Sequence, residues 1–580
     1  MAITTDEPVI RRTTKYPPSE WSYDFIQSLP GNSMVETYKT ASNNFKERVR
    51  NIISKEASVE NPSRTLELVD DLLRLGISYH FKDEISRVLK MIHNCYFVVP
   101  ERCNTMNLNL KALRFRLLRQ HGYQIPQEIF YDIYDTLGII KEAAEEDVVG
   151  MLNLYEASFY AVDGERILDE TREFTTKCLR EKQEKNKIVD TKSMMLISHA
   201  LELPLLWRIP WFESMWFIKA YKVRSDMIPL LVEFTELDYN MVQGVHQEDL
   251  KYTSRWWADL HWDKKLTFAR DRMVESFMWS AGVNHEAPFG VLRRNLAKLI
   301  TIVNVIDDIY DVYGTLDELE QFTKVVRRWD VNAVSRLPDY MKIFFLGLNN
   351  TINEVAFNTL INKKSFSIPY VQKAWIDYCE AMLLEARWFN NGYTPTLEEY
   401  MNNSRTRVAI PVVVSSVYFL DSYVSTGEAL DSVIQSSATI LRLADDLGTA
   451  LAEFARGDVP KAVECYMHHT GVSEEKAKAY IKSIIIDAYK RITKDRMACK
   501  SPSLQIYIDC ALNLSRMGQF TYEREVDVLG TPDDFYKNHL ISLLFILYPP
   551  LEINNFHFVS HVVSCGLNNH ELFMDLEVID

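Results

Sequence analysis

At 580 residues the chain exceeds what one hydrophobic core fills, since single cores stop growing at about 250–300 residues, and two domains are expected. Its 47% hydrophobic and 25% charged residues give the balance of a folded globular protein and exclude a disordered chain. A net charge of −15 excludes a general nucleic-acid or anionic-membrane surface, because those partners select basic patches; an anionic ligand must find local cations.

Eight scattered cysteines form no Cys-x-x-Cys pair, which indicates neither a zinc knuckle nor a disulfide framework and fits a reducing compartment. No run of about 18 apolar residues is present to span a bilayer. The longest candidate, near residues 541–547, is stopped by Pro549 and Pro550, so no membrane partner is expected. Ten residues precede Arg11, Asp6 and Glu7 among them, which suits a cytoplasmic protein, or a plastid one whose transit peptide has been removed.

In chain order, helical periodicity appears first in Leu66, Val69, Leu72, Leu73 and Ile77, at steps of three and four. The polar stretch 181–187 and the segment 222–229 separate two helical halves, and the boundary falls near residue 225. Leu296, Leu299, Ile302, Val303 and Ile306 repeat the helical spacing. No run of alternating strands is found, and only 19 Gly and 20 Pro punctuate the chain, so the fold is expected to be all-α. Beyond Pro549 the period is lost, and residues 550–580 read as an atypical tail.

The chemistry begins where the helix over residues 296–306 meets Asp307, Asp308 and Asp311. Residues four apart share a helical face, so Asp307 and Asp311 project together, with Asp308 one step round. Buried carboxylates this close raise one another's pKa unless a cation offsets them, and their hard oxygens suit Mg²⁺. Downstream, Asp445, Thr449 and Glu453 stand at i, i+4 and i+8, drifting only about 80° over two turns. They form a second oxygen row, with Asp446 either a solvated neighbour or a support behind it. Arg270 and Arg272 precede the first row, while Arg442 and Lys461 flank the second. Arginine's planar fork matches phosphate oxygens, so carboxylates, Mg²⁺ and arginines together describe a diphosphate site. The Glu-x-x-His pairs of di-iron bundles are missing.

With these residues the sequence resembles a plant class I terpene synthase over nearly its whole length. Asp307-Asp308-x-x-Asp311 is similar to the family's aspartate-rich motif, and Asp445, Thr449 and Glu453 to its second metal motif. Arg270-Asp271-Arg272 is similar to its Arg-x-Arg, and Arg11-Arg12 with Trp21 to the N-terminal arginine pair and tryptophan of the angiosperm branch rich in monoterpene, isoprene and acyclic farnesene synthases.

The resemblance implies an N-terminal α-barrel-like helical domain, residues 1–225, whose leading segment caps the active site. It implies a class I terpenoid synthase fold in a catalytic domain, residues 226–549. Three Mg²⁺ ions, with Mn²⁺ able to substitute, bind a prenyl diphosphate. Asp307, Asp311, Asp445, Thr449 and Glu453 serve as ligands, and Arg270, Arg272, Arg442 and Lys461 neutralise the leaving group. Trp279 lines the cation's cavity, and Tyr522 and Asp527 form a pair at its rim. The expected reaction ionises geranyl or farnesyl diphosphate and deprotonates the cation to an olefin of the ocimene or farnesene kind, in a monomer or weak dimer. A prenyl chain-elongating transferase, which carries two aspartate-rich motifs, and a non-catalytic binding protein on the same fold are the alternatives. Two departures stand out: Ser404-Arg405-Thr406-Arg407-Val408-Ala409-Ile410-Pro411 replaces a Ser/Gly-rich helix break, and Glu523-Arg524-Glu525-Val526-Asp527 replaces a loop that often bears glycine and histidine.

Overall fold

Apolar residues spaced three and four apart bury one stripe of each helix. Leu66, Val69 and Leu72 do so in Pro62–Arg74, and Leu296, Leu299, Ile302 and Ile306 in Gly290–Asp307. A computed structural model describes residues 11–548 apart from 13, 15, 59–61, 99–105, 135–145, 186–190, 422–427, 457–458 and 525–528. Among the described residues the regular structure is helical throughout, with no strand. The tail 550–580 and Asp527 lie outside the described residues, as does the side chain of Glu453.

The stretch 181–187 differs from the sequence reading. Its first four residues continue the helix Arg166–Glu184, where charged side chains form a solvated helical face rather than a linker. The 222–229 segment is a turn between Pro210–Lys222 and the 32-residue helix Pro229–Leu260, which starts on a proline whose missing N–H costs nothing in the first turn. Asn32–Glu56 packs along Pro229–Leu260, and Lys490 reaches Asp169 at 2.8 Å, so the two halves are joined by both apolar and ionic contacts.

In the second half, Met273–Val283 packs on Gly290–Asp307 and on Pro502–Tyr522, while Glu428–Arg456 packs on Pro502–Tyr522 and Leu397–Arg407. The latter helix ends at Arg407, and a new one, Ile410–Asp421, restarts two residues later. Between them Ala409 adopts φ +61°, a left-handed conformation costly for a residue with a Cβ. At this break residues 407–410 line a cavity between the helices.

The last described helix, Asp534–Leu544, docks through its C-terminal carbonyls. The buried amide of Gln243 donates to Ser542, Leu543 and Ile546 at 3.3, 3.2 and 2.8 Å, and that of Gln247 donates to Leu544 at 2.9 Å. The carbonyls of Ser542, Leu543 and Leu544 are acceptors a helix end leaves without partners, and that of Ile546 lies just beyond the helix. Gln243→Leu strips that docking, and chemical denaturation is expected to register a loss of about 1–3 kcal/mol.

Candidate active site

The first carboxylate row sits where the α-helix Gly290–Asp307 widens into a π-helical turn, Asp308–Tyr313. Such turns re-aim side chains and cluster at functional sites. Asp308 is fully buried and turned back onto Arg270, accepting from its backbone N–H at 2.8 Å, its Nε at 3.0 Å and its Nη2 at 2.9 Å. Asp307 accepts from the Tyr378 hydroxyl at 2.7 Å, and Asp311 from Arg407 Nη2 at 2.6 Å. Burial pushes the Asp307 carboxyl up to about 6, against the opposing pull of Arg407 and Arg270.

The second row lies on Glu428–Arg456. Arg442, one turn before it, pairs with Asp445 and, at 2.6 Å, with Asp446. Of the two readings of Asp446, a solvated neighbour or a support behind the row, the structure has the second. Asp446 is fully buried, accepts from the Tyr400 hydroxyl at 2.9 and 2.8 Å and from the Ala462 N–H at 3.3 Å, and so pins the segment carrying Lys461 to this helix. Thr449 donates its proton to the Asp445 carbonyl at 2.8 Å, which leaves its oxygen lone pairs available. A Cβ on Gly448 would stand 2.5 Å from the Tyr522 carbonyl, so only glycine lets the end of Pro502–Tyr522 close against this row.

Both rows face one basin of about 680 Å³, whose walls include Asp307, Asp311, Asp445, Thr449, Arg270 and Lys461. Its inner end adjoins a cavity of about 110 Å³ walled by Trp279, Ile300, Val303, Val413 and Leu514. Asp307, Arg407 and Asp445 belong to both walls, so the carboxylates mark the seam between a charged compartment and an apolar one. The donors are all hard oxygens, the set Mg²⁺ takes. Among the described residues no three acidic, His or Cys side chains are grouped to hold an ion unaided. With the donors divided between two walls, the remaining coordination must come from ligand oxygens and water, as is usual for Mg²⁺.

The N-terminal arm crosses the mouth of the basin without regular secondary structure. Arg11 grips both oxygens of Glu318 at 2.7 Å and donates to the Tyr313 carbonyl at 3.0 Å, while its guanidinium stacks on the Tyr313 ring at 4.5 Å. Arg12 lies over Phe389, Tyr16 lies against Arg270 at 5.0 Å, and Trp21 packs on Phe545 at 5.0 Å. Arg272 is buried and its guanidinium is directed at main-chain carbonyls: Pro17 of the arm at 3.2 Å, Leu529 at 3.1 Å and Gly530 at 2.9 Å. It therefore stitches the arm to the segment that follows the Pro502–Tyr522 helix.

Of the residues singled out in the sequence, Arg270, Asp307, Asp311, Asp445, Thr449, Lys461 and Tyr522 line the basin, and Trp279 and Arg442 line the inner cavity. Arg272 stands behind the wall in this structure. Glu385 and Arg407 escaped the sequence reading. Glu385 is buried between Arg407 Nε at 2.6 Å and Lys461 Nζ at 3.1 Å, and although burial pushes its carboxyl up, Arg407, Lys461 and Arg442 hold it below the usual carboxylate range. Tyr378 and Tyr400 were also missed, because a lone tyrosine on an apolar helix carries no signal of its own.

An all-helical bundle with two oxygen rows across one basin defines a metal-assisted enzyme of diphosphate chemistry. Residues 20–201 match the terpene synthase N-terminal domain and residues 258–491 the metal binding domain of the terpene synthase family. A chloroplastic R-linalool synthase of Artemisia annua is 47% identical over 542 residues, covering 92% of this chain and 94% of that enzyme. A crystal structure of limonene synthase with 2-fluorolinalyl diphosphate superposes with a TM-score of 0.88 at 38% identity, covering 93% of this chain and 100% of that one. Isoprene synthase from grey poplar (Populus x canescens), in complex with three Mg²⁺ ions and dimethylallyl-S-thiolodiphosphate, gives a TM-score of 0.82 at 39% identity, covering 92% of this chain and 100% of that one. The chain belongs to the terpene synthase family and has its class I fold. It is a lyase acting on prenyl diphosphates, with a divalent-metal-binding domain.

The arm's latch has a pH signature. Glu318 is depressed from 4.5 to about 2: burial raises it, and the bonds from Arg11 and the Thr315 N–H outweigh that. A depressed carboxylate stabilises the fold fully above its unfolded pKa, and that stability drains away as pH falls from about 4.5 toward 2. Hydrogen exchange of the arm is expected to accelerate over that window. At neutral pH, Glu318→Gln is expected to let trypsin cut after Arg11 and Arg12 faster than in the wild type.

Proposed function

We propose that this terpene synthase ionises geranyl diphosphate to an allylic cation and quenches it to a ten-carbon monoterpene. The observation that supports this reading best is the pair of oxygen rows facing each other across a basin that opens, at its inner end, on an apolar cavity of only about 110 Å³. The apolar side chains of that cavity, Trp279, Ile300 and Leu514 among them, suit a hydrocarbon cation. The relatives named for linalool, myrcene and α-terpineol, at 42–47% identity, favour the ten-carbon chain length.

On this reading Asp307 and Asp311 hold metal from one wall, and Asp445, Thr449 and Glu453 from the other. Three Mg²⁺ ions are bound, and Mn²⁺ substitutes. Bound Mg²⁺ supplies Lewis-acid stabilisation of the charge that builds on diphosphate oxygens as the carbon–oxygen bond breaks. Arg270, Arg442 and Lys461 add charge-assisted hydrogen bonds to the leaving group. Arg272 acts indirectly, holding the arm and residues 529–530 together so that water stays out while a cation exists. The π face of Trp279 stabilises that cation by about 0.5–2 kcal/mol. Tyr522, which lines the basin, takes part with Asp527 in removing a proton from the cation.

The division into an N-terminal helical domain of residues 1–225, a catalytic domain of 226–549 and a tail of 550–580 belongs to the same proposal. So does a monomeric or weakly dimeric state. The chloroplastic relatives favour the plastid, where a ten-carbon substrate is drawn on; the cytoplasm and farnesyl diphosphate form the competing pair.

Purified protein incubated with Mg²⁺ and either geranyl or farnesyl diphosphate is expected to release monoterpene volatiles, with kcat/KM favouring the shorter substrate. No volatile from either overturns the function, and preference for farnesyl diphosphate overturns the chain length. Asp307→Ala and Asp445→Ala are each expected to lower turnover about 100-fold or more with the helical circular dichroism unchanged.

Because burial holds the free Asp307 carboxyl up to about 6, ion binding must expel a proton below that pH. The Mg²⁺ concentration for half-maximal turnover is expected to fall as pH rises through about 6, a trend measurable in initial rates at fixed substrate.

A further inference from the structure

Arg407 stands at the seam between the charged basin and the apolar cavity, walling both. It is the one cation bonded directly to Asp311 among the described pairs, at 2.6 Å, and it also lies 2.6 Å from Glu385. Its own side chain is 8% exposed, whereas that of Asp311 is 40% exposed, so the aspartate can leave the pair for the basin while the arginine stays in place.

The Glu385 contact does not satisfy Arg407 fully. Its Nε lies close to that carboxylate, yet the N–H has no acceptor in line. Glu385 is also shared with Lys461 at 3.1 Å and feels the charge of Arg442. Once Asp311 turns to a metal ion, Arg407 shares its remaining anion with two other cations, and the seam carries surplus positive charge. An arginine with free fork donors beside surplus positive charge is an anion site.

We propose that Arg407 is a resident counter-cation that occupies Asp311 until Mg²⁺ arrives and then exchanges it for the diphosphate of the substrate. This rests on the reading of Asp307 and Asp311 as metal ligands and adds a specific consequence. Arg407 weakens the binding of Mg²⁺ alone, because the ion must displace it, and strengthens the binding of Mg²⁺ together with diphosphate. The metal and the leaving group are thereby made to enter together, which guards the basin against filling with ions before a substrate is present. A residue acting only as structural support would move both affinities in the same direction.

The experiment uses the full chain and two calorimetric titrations, Mg²⁺ alone and inorganic pyrophosphate at saturating Mg²⁺. For Arg407→Gln, Mg²⁺ alone is expected to bind more tightly and pyrophosphate to bind at least about tenfold more weakly. Shifts in the same direction, or an unchanged pyrophosphate affinity, overturn the proposal.

Since Arg407→Gln leaves Glu385 short of a buried partner, the double variant R407Q/E385Q repeats the test without that penalty and is expected to shift in the same two directions. Arg407→Lys keeps the charge and loses the fork, so Mg²⁺ affinity is expected to stay at the wild-type level while pyrophosphate affinity falls; unchanged pyrophosphate affinity in this variant counts against the proposal. Asp311→Ala separates the two layers of inference. If it binds Mg²⁺ as the wild type does, the metal reading itself fails; if it loses Mg²⁺ while the Arg407 variants show no opposed shifts, the exchange alone fails.

Discussion

Carboxylates crowded around one basin repel, and the organisation of this site follows from the need to keep them charged there. Each acidic group lining the basin or backing its two rows has an assigned cation or hydroxyl: Arg270 for Asp308, Tyr378 for Asp307, Arg407 for Asp311, Arg407 and Lys461 for Glu385, Arg442 for Asp445 and Tyr400 for Asp446. The pairing costs desolvation, and unpaired charges would cost several kcal/mol more. It leaves the first row lining the basin through Asp307 and Asp311, and the second through Asp445 and Thr449.

This pairing sorts neighbouring aspartates into different tasks. Asp307 and Asp308 are adjacent in sequence, yet the widened turn aims one at the basin wall and the other at the backbone and side chain of Arg270. Asp445 and Asp446 divide in the same way, one lining the basin and the other buried against Tyr400 and the Ala462 N–H. In both rows one aspartate is buried in the frame and its neighbour lines the basin, the division between support and surface that a functional site requires of its surroundings.

Much of the fold was legible because helical spacing is a local property. Leu66, Val69 and Leu72 announce a buried stripe without reference to anything distant. The two oxygen rows were legible for the same reason, each being written within nine residues of one helix. The partners were not: Arg407 meets Asp311 across 96 positions and Tyr378 meets Asp307 across 71, and no local pattern links them. The aim of Asp308 was missed because counting steps of 3.6 assumes an α-helix where the chain adopts a π turn. Arg272 was read as facing a ligand, whereas four backbone carbonyls claim its guanidinium, and carbonyl positions are invisible in a sequence. Residues 181–184 were read as a linker since a solvated helical face and a loop share the same polar composition.

The way the arm is fastened carries a consequence for how the protein is made. Pro17 is held by Arg272 beside Gly530, and Trp21 rests on Phe545, so the earliest described residues find their partners among the latest. A ribosome adding about 5–20 residues per second needs about 25–100 s to travel between those points. Throughout that interval Pro17 and Trp21 lack the late partners that fasten them, although Arg11 and Arg12 can already meet Glu318 and Phe389 midway. The first part of the basin to be synthesised is thus the last to be fully seated, and the mouth shuts only when translation is nearly finished.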